Sequence, residues 1–281
     1  MTGAAAHIVR RAEKSGNDDG ENLLLSISAA DALAAELSMS RREVEIIALK
    51  NGVIPRRYQR NMGTLGAEGQ VALLESSVSV IGLGGLGGFT CELLARAGVG
   101  EMILVDGDVY DESNLNRQLH CTEEDIGEVK AAAAERRVTK VNGAVKVRHH
   151  LGVLNEDNAR SILGSSRVVV DCLDNIPDRF ILQRACRSLG IPMVHGAVAG
   201  TMGQVMVIPP GGGGLEHLYG RAEDTGRHGI ELVLGNLPAT VATIAALQCN
   251  EVVRIITGRS HSRGVLFVDL TSDSFTRVEF S

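Results

Sequence analysis

The 281-residue chain has no tryptophan, and its aromatic residues amount to only 3%. It contains five cysteines but no Cys-x-x-Cys pair, and its first residues lack the apolar core of a secretion signal. It also lacks an uninterrupted apolar stretch of the roughly 20 residues that a membrane-spanning helix needs. Scattered cysteines without a leader are typical of reduced thiols, so we expect a cytoplasmic protein with no membrane contact.

Positive charge is also scarce, because 34 acidic residues outnumber 28 lysines and arginines. The net charge of -6 and the pI of about 5.8 argue against a protein whose main partner is a nucleic acid. The hydrophobic fraction of 44% and the charged fraction of 22% are those of an ordinary globular protein. The expected partners are therefore proteins or small molecules.

From residue 77 onward, short β-branched runs alternate with helical segments, which is the pattern of parallel strands joined by crossover helices. The predicted strands lie at 77–81, 101–106, 145–149, 168–172, 192–196 and 203–208, and the predicted helices at 86–97, 130–141, 179–189 and 238–256. Antiparallel strands at 265–270 and 275–280 should close the chain. The pattern predicts an α/β fold with a doubly wound, Rossmann-like, mostly parallel sheet and C-terminal antiparallel strands.

Two further segments have distinct patterns. Residues 1–60 are expected to form a helical extension with helices at 27–37 and 41–50, separate from a main domain at 61–281. Ser40 followed by Glu43 is a capping box for the second of these helices. A glycine run at 211–214 and a polar connection at 216–231 are expected to form a mobile lid or crossover loop.

The strongest local motif is the glycine loop at 82–88, a G-x-G-x-x-G sequence that directly follows a predicted strand and opens a predicted helix. Gly82 permits a tight turn, Gly84 lets backbone N–H groups approach a phosphate, and Gly87 lets the helix pack closely on the strand. The helix N-terminus adds roughly half a positive charge. The motif predicts a nucleotide-binding site.

Acidic residues follow the next predicted strand, with Asp106 at its end and Asp108 two residues later. A carboxylate about 20 residues after such a loop is the usual partner of ribose hydroxyls. An NAD-dependent oxidoreductase and an ATP-using enzyme both fit at this point.

Cations in the next block favour ATP. Arg117, in the segment 113–118, can bind phosphate oxygens through its planar fork, and Lys130 places a point charge at a helix start. Cleavage of ATP at its α-phosphorus requires neutralisation of a triphosphate and of the departing pyrophosphate, whereas hydride transfer has little use for extra cations.

Together these segments resemble the E1-like (ubiquitin-activating) superfamily, in particular its HesA/MoeB/ThiF adenylyltransferases. The resemblance runs from about residue 57 to residue 258. It rests on Arg57-Tyr58-Gln59-Arg60, Gly69-Gln70, the glycine loop, Ala97-Gly98-Val99-Gly100, the block 114–118, Lys130, Asp171-Cys172-Leu173-Asp174-Asn175 and Leu247-Gln248.

The resemblance implies roles for individual residues. The residues expected to bind ATP are Gly82, Gly84, Gly85, Leu86, Gly87, Asp106, Asp108, Asn114, Arg117, Gln118, Lys130, Asp174 and Asn175. Within this set Asn114, Arg117 and Lys130 would contact the phosphates, and Asp174 would position Mg²⁺ or ATP. The alternative for Asp174 is the N-cap of the following helix, and both roles are compatible. Arg60 would reach the site of the other subunit of a homodimer.

The family reaction is attack by a substrate carboxylate on the α-phosphorus of ATP, which gives an acyl-adenylate and pyrophosphate. The usual carboxylate is the C-terminal glycine of a small ubiquitin-like sulfur-carrier protein ending in Gly-Gly. Such carriers serve the biosynthesis of molybdenum or tungsten cofactors or of thiamine. The sulfur is expected to come from a separate donor protein, because no rhodanese-like segment follows.

The sequence departs from many relatives in its cysteines. It lacks the two Cys-x-x-Cys pairs that bind structural zinc, and His217 and His228 are expected to be solvated, so we expect no zinc. The crossover segment has no cysteine for a thioester, and Cys249 lies on an apolar helix. Activation of a carboxylate on modified tRNA, NAD-dependent oxidoreduction and a non-catalytic ATP-binding scaffold stay open as alternatives.

Overall fold

The computed structural model describes residues 3–17, 20–224, 226, 229–261 and 263–280. The helices are α1 Gly3–Arg11, α2 Ile27–Leu37, α3 Arg41–Lys50, α4 Met62–Glu75, α5 Gly85–Ala97, α6 Lys130–Val141, α7 Glu156–Leu163, α8 Ile176–Leu189, α9 Glu216–Tyr219, α10 Glu231–Leu234 and α11 Pro238–Ile256. The strands are β1 Glu13–Asn17, β2 Gly20–Leu25, β3 Val53–Pro55, β4 Ser77–Ile81, β5 Glu101–Asp106, β6 Lys146–Leu151, β7 Val168–Asp171, β8 Met193–Ala199, β9 Met202–Ile208, β10 Val265–Asp269 and β11 Ser274–Val278.

Eight strands form the main sheet in the order β11-β10-β9-β8-β7-β4-β5-β6. The strands from β8 to β6 are parallel, and β9, β10 and β11 add to them as antiparallel neighbours. The central strands β4 and β7 are buried along their whole length, because helices cover both faces of the sheet. The chain leaves β4 for β5 on one side and later reaches β7 on the other, so a crevice opens at the carboxyl end of β4.

Each face of the sheet has its own core. One core packs α5, α6 and α11 on the sheet through residues such as Leu94, Val138 and Val252. The other packs α7 and α8 through residues such as Ile162 and Leu182. These two layers confirm the predicted doubly wound arrangement.

The helix α11 lies across the first of these layers. Val241 near its start approaches Gly85 at the head of α5, and the Gln248 side chain donates to the main-chain oxygens of Asp171 (2.9 Å) and Val194 (3.2 Å). Among the helices of the described ranges, only α11 is long and apolar enough to cross a membrane, and half of that stretch is buried within the protein. It is therefore a core helix of this domain.

The N-terminal segment forms a small unit with its own apolar core. The helices α2 and α3 begin and end where the sequence predicts, and the Ser40 and Glu43 capping box is present. The helices α1, α2 and α3 pack on a three-stranded sheet ordered β1-β2-β3 around residues such as Ile8, Leu33 and Val44. The sequence analysis did not anticipate these strands, because the stretch 14–22 is polar; residues 18 and 19 of it lie outside the described ranges.

Several residues of the motifs quoted above pack neighbouring segments together. The Tyr58 hydroxyl accepts from the Asn142 amide (2.9 Å), and the Gln70 amide donates to the Ala97 carbonyl (2.8 Å). A Cβ atom on Gly98, which has φ of +91°, would lie 2.6 Å from the Gln70 amide nitrogen and 2.7 Å from the Tyr58 ring. These motif residues therefore serve packing between segments.

The segment after the glycine run differs from a plain polar connection. It contains α9 and α10, although His228 and residues 225 and 227 lie outside the described ranges. The main chain of Leu215 donates to the Gln183 side chain (2.6 Å), which in turn donates to Glu216 (2.8 Å). The His217 ring stacks on Phe280, with ring centroids 4.4 Å apart. These contacts fix α9 on α8 and on the C-terminal end of the chain.

Candidate active site

A cleft of about 820 Å³ opens at the carboxyl ends of β4, β5, β7 and β8. Most of the predicted site residues line it: Gly82, Gly84, Gly85, Leu86, Asp106, Asp108, Arg117, Gln118, Lys130, Asp174 and Asn175. Gly87, Asn114 and Arg60 do not line it. Ligands of doubly wound proteins bind at this edge of the sheet, so the cleft is the candidate active site.

The glycine loop forms one wall of the cleft. Gly82 has φ of +88°, and a Cβ atom there would lie 2.6 Å from the Cys172 carbonyl oxygen. A Cβ atom on Gly87 would lie 1.9 Å from the Gly82 carbonyl oxygen, whereas one on Gly84 would meet only the Gln118 amide at 3.5 Å. Gly82 and Gly87 are therefore required by the fold, while Gly84 leaves room for a ligand.

The head of α5 faces the same space. Its N-cap is Gly84, and no side chain caps its first N–H groups. Uncapped N–H groups and the helix dipole make such a helix start suitable for phosphate.

Asp106 is held by the main chain on both of its oxygens. Oδ2 accepts from the Leu83 N–H (2.6 Å) and Oδ1 accepts from the Asp108 N–H (2.8 Å). Burial raises the pKa of this carboxyl, and the two N–H donors oppose that rise. Each oxygen keeps a lone pair for a further donor, so the carboxylate can still accept a ribose hydroxyl.

Lys130 is buried at the start of α6 and its ammonium forms an ion pair with Asp108, at 3.0 Å. The Asp108 side chain is 72% exposed, whereas that of Lys130 is 9% exposed. Asp108 therefore holds the ammonium at the mouth of the cleft, where a phosphate can compete for it.

Arg117 lies on the turn that follows the short 3-10 helix Glu112–Asn114. Its Nη1 donates to the Ser113 carbonyl (2.9 Å) and to the Asn116 side chain (2.8 Å), which orients the guanidinium. Asn114 builds this turn: its Oδ1 accepts from the Asp111 N–H (3.1 Å), and its carbonyl accepts from the Arg117 N–H (3.1 Å). The phosphate contact expected of Asn114 stays a prediction.

Asp174 follows β7 and is exposed to the cleft. The cap of α8 is its neighbour Asn175, whose Oδ1 accepts from the Asp178 N–H (3.0 Å), so the alternative of Asp174 as this cap is wrong. The described residues hold no cluster of three or more metal-ligating side chains. A single exposed carboxylate fits Mg²⁺, which proteins bind through one or two carboxylates together with nucleotide phosphates.

Arg60 lies on the 3-10 helix Arg56–Asn61 and is exposed. It is not part of the cleft of its own subunit. Its predicted action in a second subunit stays a prediction.

Sequence reasoning missed a polar network at the end of the cleft beyond Asp174. Asp171 and His195 are fully buried, and His195 Nδ1 lies 2.7 Å from Asp171 Oδ2. Arg179, Gln204 and Tyr219 line the cleft, and the Tyr219 hydroxyl contacts all three of His195 (3.2 Å), Arg179 (2.7 Å) and Gln204 (2.8 Å). The sequence signals for this network were Asp171, in the motif that contains Asp174, and a histidine inside the predicted strand 192–196.

Protonation in this network follows from burial. Burial lowers the pKa of His195, although Asp171 opposes that shift, so the ring is neutral near pH 7. A neutral ring that donates from Nδ1 to Asp171 has an acceptor at Nε2. The Tyr219 hydroxyl therefore donates to His195 and accepts from Arg179 and Gln204.

Comparison with known proteins identifies the family of this chain. The ThiF family matches residues 58–281. The SAMP-activating enzyme E1 of Haloferax volcanii is 37% identical over 230 residues, which cover 80% of this chain and 84% of that protein. The sulfur carrier protein adenylyltransferase of Thermus thermophilus is 35% identical over 236 residues, which cover 79% of this chain and 86% of that protein.

Other relatives are longer, and this chain spans 42% to 62% of their length. Among solved structures, the crystal structure of E. coli MccB with MccA-N7isoASN superposes with a TM-score of 0.67 at 17% identity. The match covers 96% of this chain and 95% of the MccB chain. That likeness shows the shared fold, in agreement with the predicted α/β architecture. The match over residues 58–281, the identity to these relatives and the nucleotide cleft together show that the chain belongs to the ThiF family of the E1-like superfamily and is an ATP-using adenylyltransferase.

Proposed function

We propose that the chain activates the C-terminal glycine carboxylate of a small ubiquitin-like sulfur-carrier protein ending in Gly-Gly. The carrier would belong to molybdenum or tungsten cofactor, thiamine or a related biosynthesis. The observation that carries the proposal is the joint placement of an uncapped helix start, two cations and an exposed carboxylate in one cleft. The names of the two relatives, a SAMP-activating E1 and a sulfur carrier protein adenylyltransferase, support the class of substrate.

The reaction needs no protein nucleophile. An oxygen of the substrate carboxylate attacks the α-phosphorus of ATP, the bond from that phosphorus to the bridging oxygen breaks, and pyrophosphate leaves with the electron pair. No proton has to move, so positioning and charge neutralisation supply the catalysis. The glycine loop N–H groups, Arg117 and Lys130 would bind the phosphates, and Asp106 would hold the ribose. Bound Mg²⁺ at Asp174 would neutralise phosphate charge.

Adenylation without an enzyme thioester is the simplest chemistry for this chain. All five cysteines are buried as free thiols. Burial raises the pKa of Cys186 and of Cys249 to about 12, and it also raises the pKa of the other three thiols. Protonated and buried thiols are poor nucleophiles. We further propose that no zinc is bound, since the crossover segment carries no cysteine and its His217 packs on Phe280.

Arg60 supports the proposal of a homodimer. It is exposed and lies outside the cleft of its own chain, while its neighbour Tyr58 is fully buried and fixes the segment that presents it. A second subunit would place this arginine at the phosphates of its partner. We also propose that a separate donor protein supplies the sulfur. The proposed location of the reaction is the cytoplasm.

The test is exchange of labelled pyrophosphate into ATP in the presence of carrier proteins from the same organism. Exchange should depend on a carrier that ends in Gly-Gly, and the same carrier without its last glycine is the matched control. Failure of every such carrier to promote exchange would defeat the proposal. ATP turnover that depends on RNA would favour tRNA activation instead, and thermal protection by NADH but not by ATP with Mg²⁺ would favour an oxidoreductase.

A further inference from the structure

Leu173, the residue that precedes Asp174, is clamped at both its N–H and its carbonyl group. The Leu173 N–H donates to Asp171 Oδ1 (3.0 Å), and the Leu173 carbonyl accepts from Arg179 Nη2 (2.6 Å). Both clamping side chains are buried, Asp171 fully and Arg179 to 8% exposure. These two hydrogen bonds orient the two successive peptide units that flank the Leu173 Cα atom, so the pair sets the direction in which Asp174 leaves the strand.

Tyr219 connects the two arms of this clamp. Its hydroxyl accepts from Arg179 Nη1 (2.7 Å), and it donates to His195 Nε2 (3.2 Å), whose other nitrogen donates to Asp171 Oδ2 (2.7 Å). Arg179 Nε lies 3.9 Å from Asp171 Oδ2, so the two arms also attract each other directly. Gln204 occupies the remaining lone pair of the hydroxyl, at 2.8 Å. Every hydrogen-bonding position of this hydroxyl is therefore used.

The tyrosine reaches the clamp from a segment that is itself anchored. It is the last residue of α9, and the start of that helix is tied to α8 by the bonds of Gln183 to Leu215 and Glu216. The guanidinium of Arg179 also lies 5.8 Å from the centre of the Tyr219 ring, within cation–π range. A residue of the crossover segment thus takes part in the hydrogen bonding that orients the Asp174 turn.

We infer that Tyr219 is a positioning residue for Asp174, acting through Arg179 and through the His195 and Asp171 pair. The inference rests on the proposed function, in which Asp174 binds Mg²⁺ with ATP. Without the hydroxyl, Arg179 and His195 each lose a buried partner, and the main chain on both sides of Leu173 is held less tightly. Loss of one such hydrogen bond is worth about a factor of ten in an equilibrium constant.

The experiment measures calorimetric binding of α,β-methylene ATP to the full-length chain over a series of Mg²⁺ concentrations, so no carrier is needed. Tyr219→Phe should raise the Mg²⁺ concentration for half-maximal tight binding about tenfold. Tyr110→Phe is the matched control: the Tyr110 hydroxyl is buried, has no hydrogen-bond partner among the described residues and is outside the cleft lining. It should leave the Mg²⁺ dependence unchanged.

Two further variants make the test specific. Asp174→Asn should abolish the Mg²⁺ dependence of binding. The double variant with Tyr219→Phe should bind the nucleotide as Asp174→Asn alone does, because both substitutions act on one interaction. Arg179→Lys, which cannot reach Leu173 and Tyr219 together, should reproduce the effect of Tyr219→Phe and serves if that variant folds poorly.

The outcomes separate the two ideas. A wild-type Mg²⁺ dependence in Tyr219→Phe and Arg179→Lys would overturn the inference alone, as would an effect of Tyr219→Phe that persists in full on the Asp174→Asn background. A wild-type Mg²⁺ dependence in Asp174→Asn would overturn the metal role in the proposed function and the inference with it.

Discussion

Replacement of Gly87 by alanine should destabilise the fold, whereas replacement of Gly84 should weaken only nucleotide binding. A Cβ atom on Gly87 would lie 1.9 Å from the Gly82 carbonyl oxygen, and the shortest contact that real Cβ atoms make is about 3.0 Å. The start of α5 and the end of β4 would therefore have to separate by about 1.1 Å, the difference between these two distances. Both clashing groups are main chain, so a rotamer change cannot relieve the overlap.

The cost follows from this displacement. Overpacking of a filled interior costs about 1–3 kcal/mol, and the better helix propensity of alanine returns about 1 kcal/mol at most. Because the neighbour is backbone, we expect a net loss near the upper end, about 2 kcal/mol. For a chain of this size that corresponds to a melting temperature lower by about 4–8 °C.

The matched variant separates stability from binding. A Cβ atom on Gly84 would meet only the Gln118 amide, at an ordinary 3.5 Å. Gly84→Ala should therefore have the melting temperature and the urea midpoint of the wild type. It should bind ATP at least tenfold more weakly, because the methyl group occupies space for a phosphate. Wild-type stability in Gly87→Ala, or wild-type ATP affinity in Gly84→Ala, would refute this division of roles.

Three further predictions concern charge and thiols. Lys130→Ala should weaken ATP binding about 10- to 100-fold in calorimetry, because a charge-assisted contact with phosphate is lost; equal affinity would contradict a phosphate role. Burial raises the pKa of Glu45 to about 7 despite the nearby Arg57. Its folded-state pKa exceeds the unfolded value of 4.5, so stability should fall by up to about 3 kcal/mol as the pH rises from about 4.5 to about 7. Glu45→Gln should remove this fall in urea titrations at pH 5 and pH 8, and equal falls in both proteins would argue against it. Finally, a thiol reagent at pH 8 should label the native chain far more slowly than the unfolded chain, and rapid native labelling of one cysteine would reopen thioester chemistry.

Local patterns in the sequence were sufficient for the sheet and for most of the cleft. The glycine loop and Asp106 could be assigned because each lies at the end of an apolar run that predicts a strand. The residues that define each feature are neighbours in the sequence. The capping box of Ser40 and Glu43 is likewise contained within four residues. Features of this kind are predictable because both partners lie in one short segment.

The network around His195 was not predictable for the opposite reason. Asp171 and His195 are 24 residues apart, and Tyr219 is a further 24 residues along the chain. The tyrosine lies in a stretch whose polar composition predicted a mobile connection, and its burial depends on the anchoring of α9 by Gln183. The first β-hairpin was missed because the stretch 14–22 is polar, so no apolar alternation marks it.

The packing of α11 has a consequence for the order in which the protein acquires its site. The ribosome delivers the glycine loop, Asp106 and Lys130 long before it delivers residues 238–256. Until then α5 and the central strands lack the helix that covers them, and contacts such as Cys249 Sγ to the Thr90 carbonyl must join residues 159 positions apart. Contacts of such long range slow folding and leave apolar surface open in the meantime. The nascent chain therefore depends on the arrival of this one helix before its nucleotide site can close.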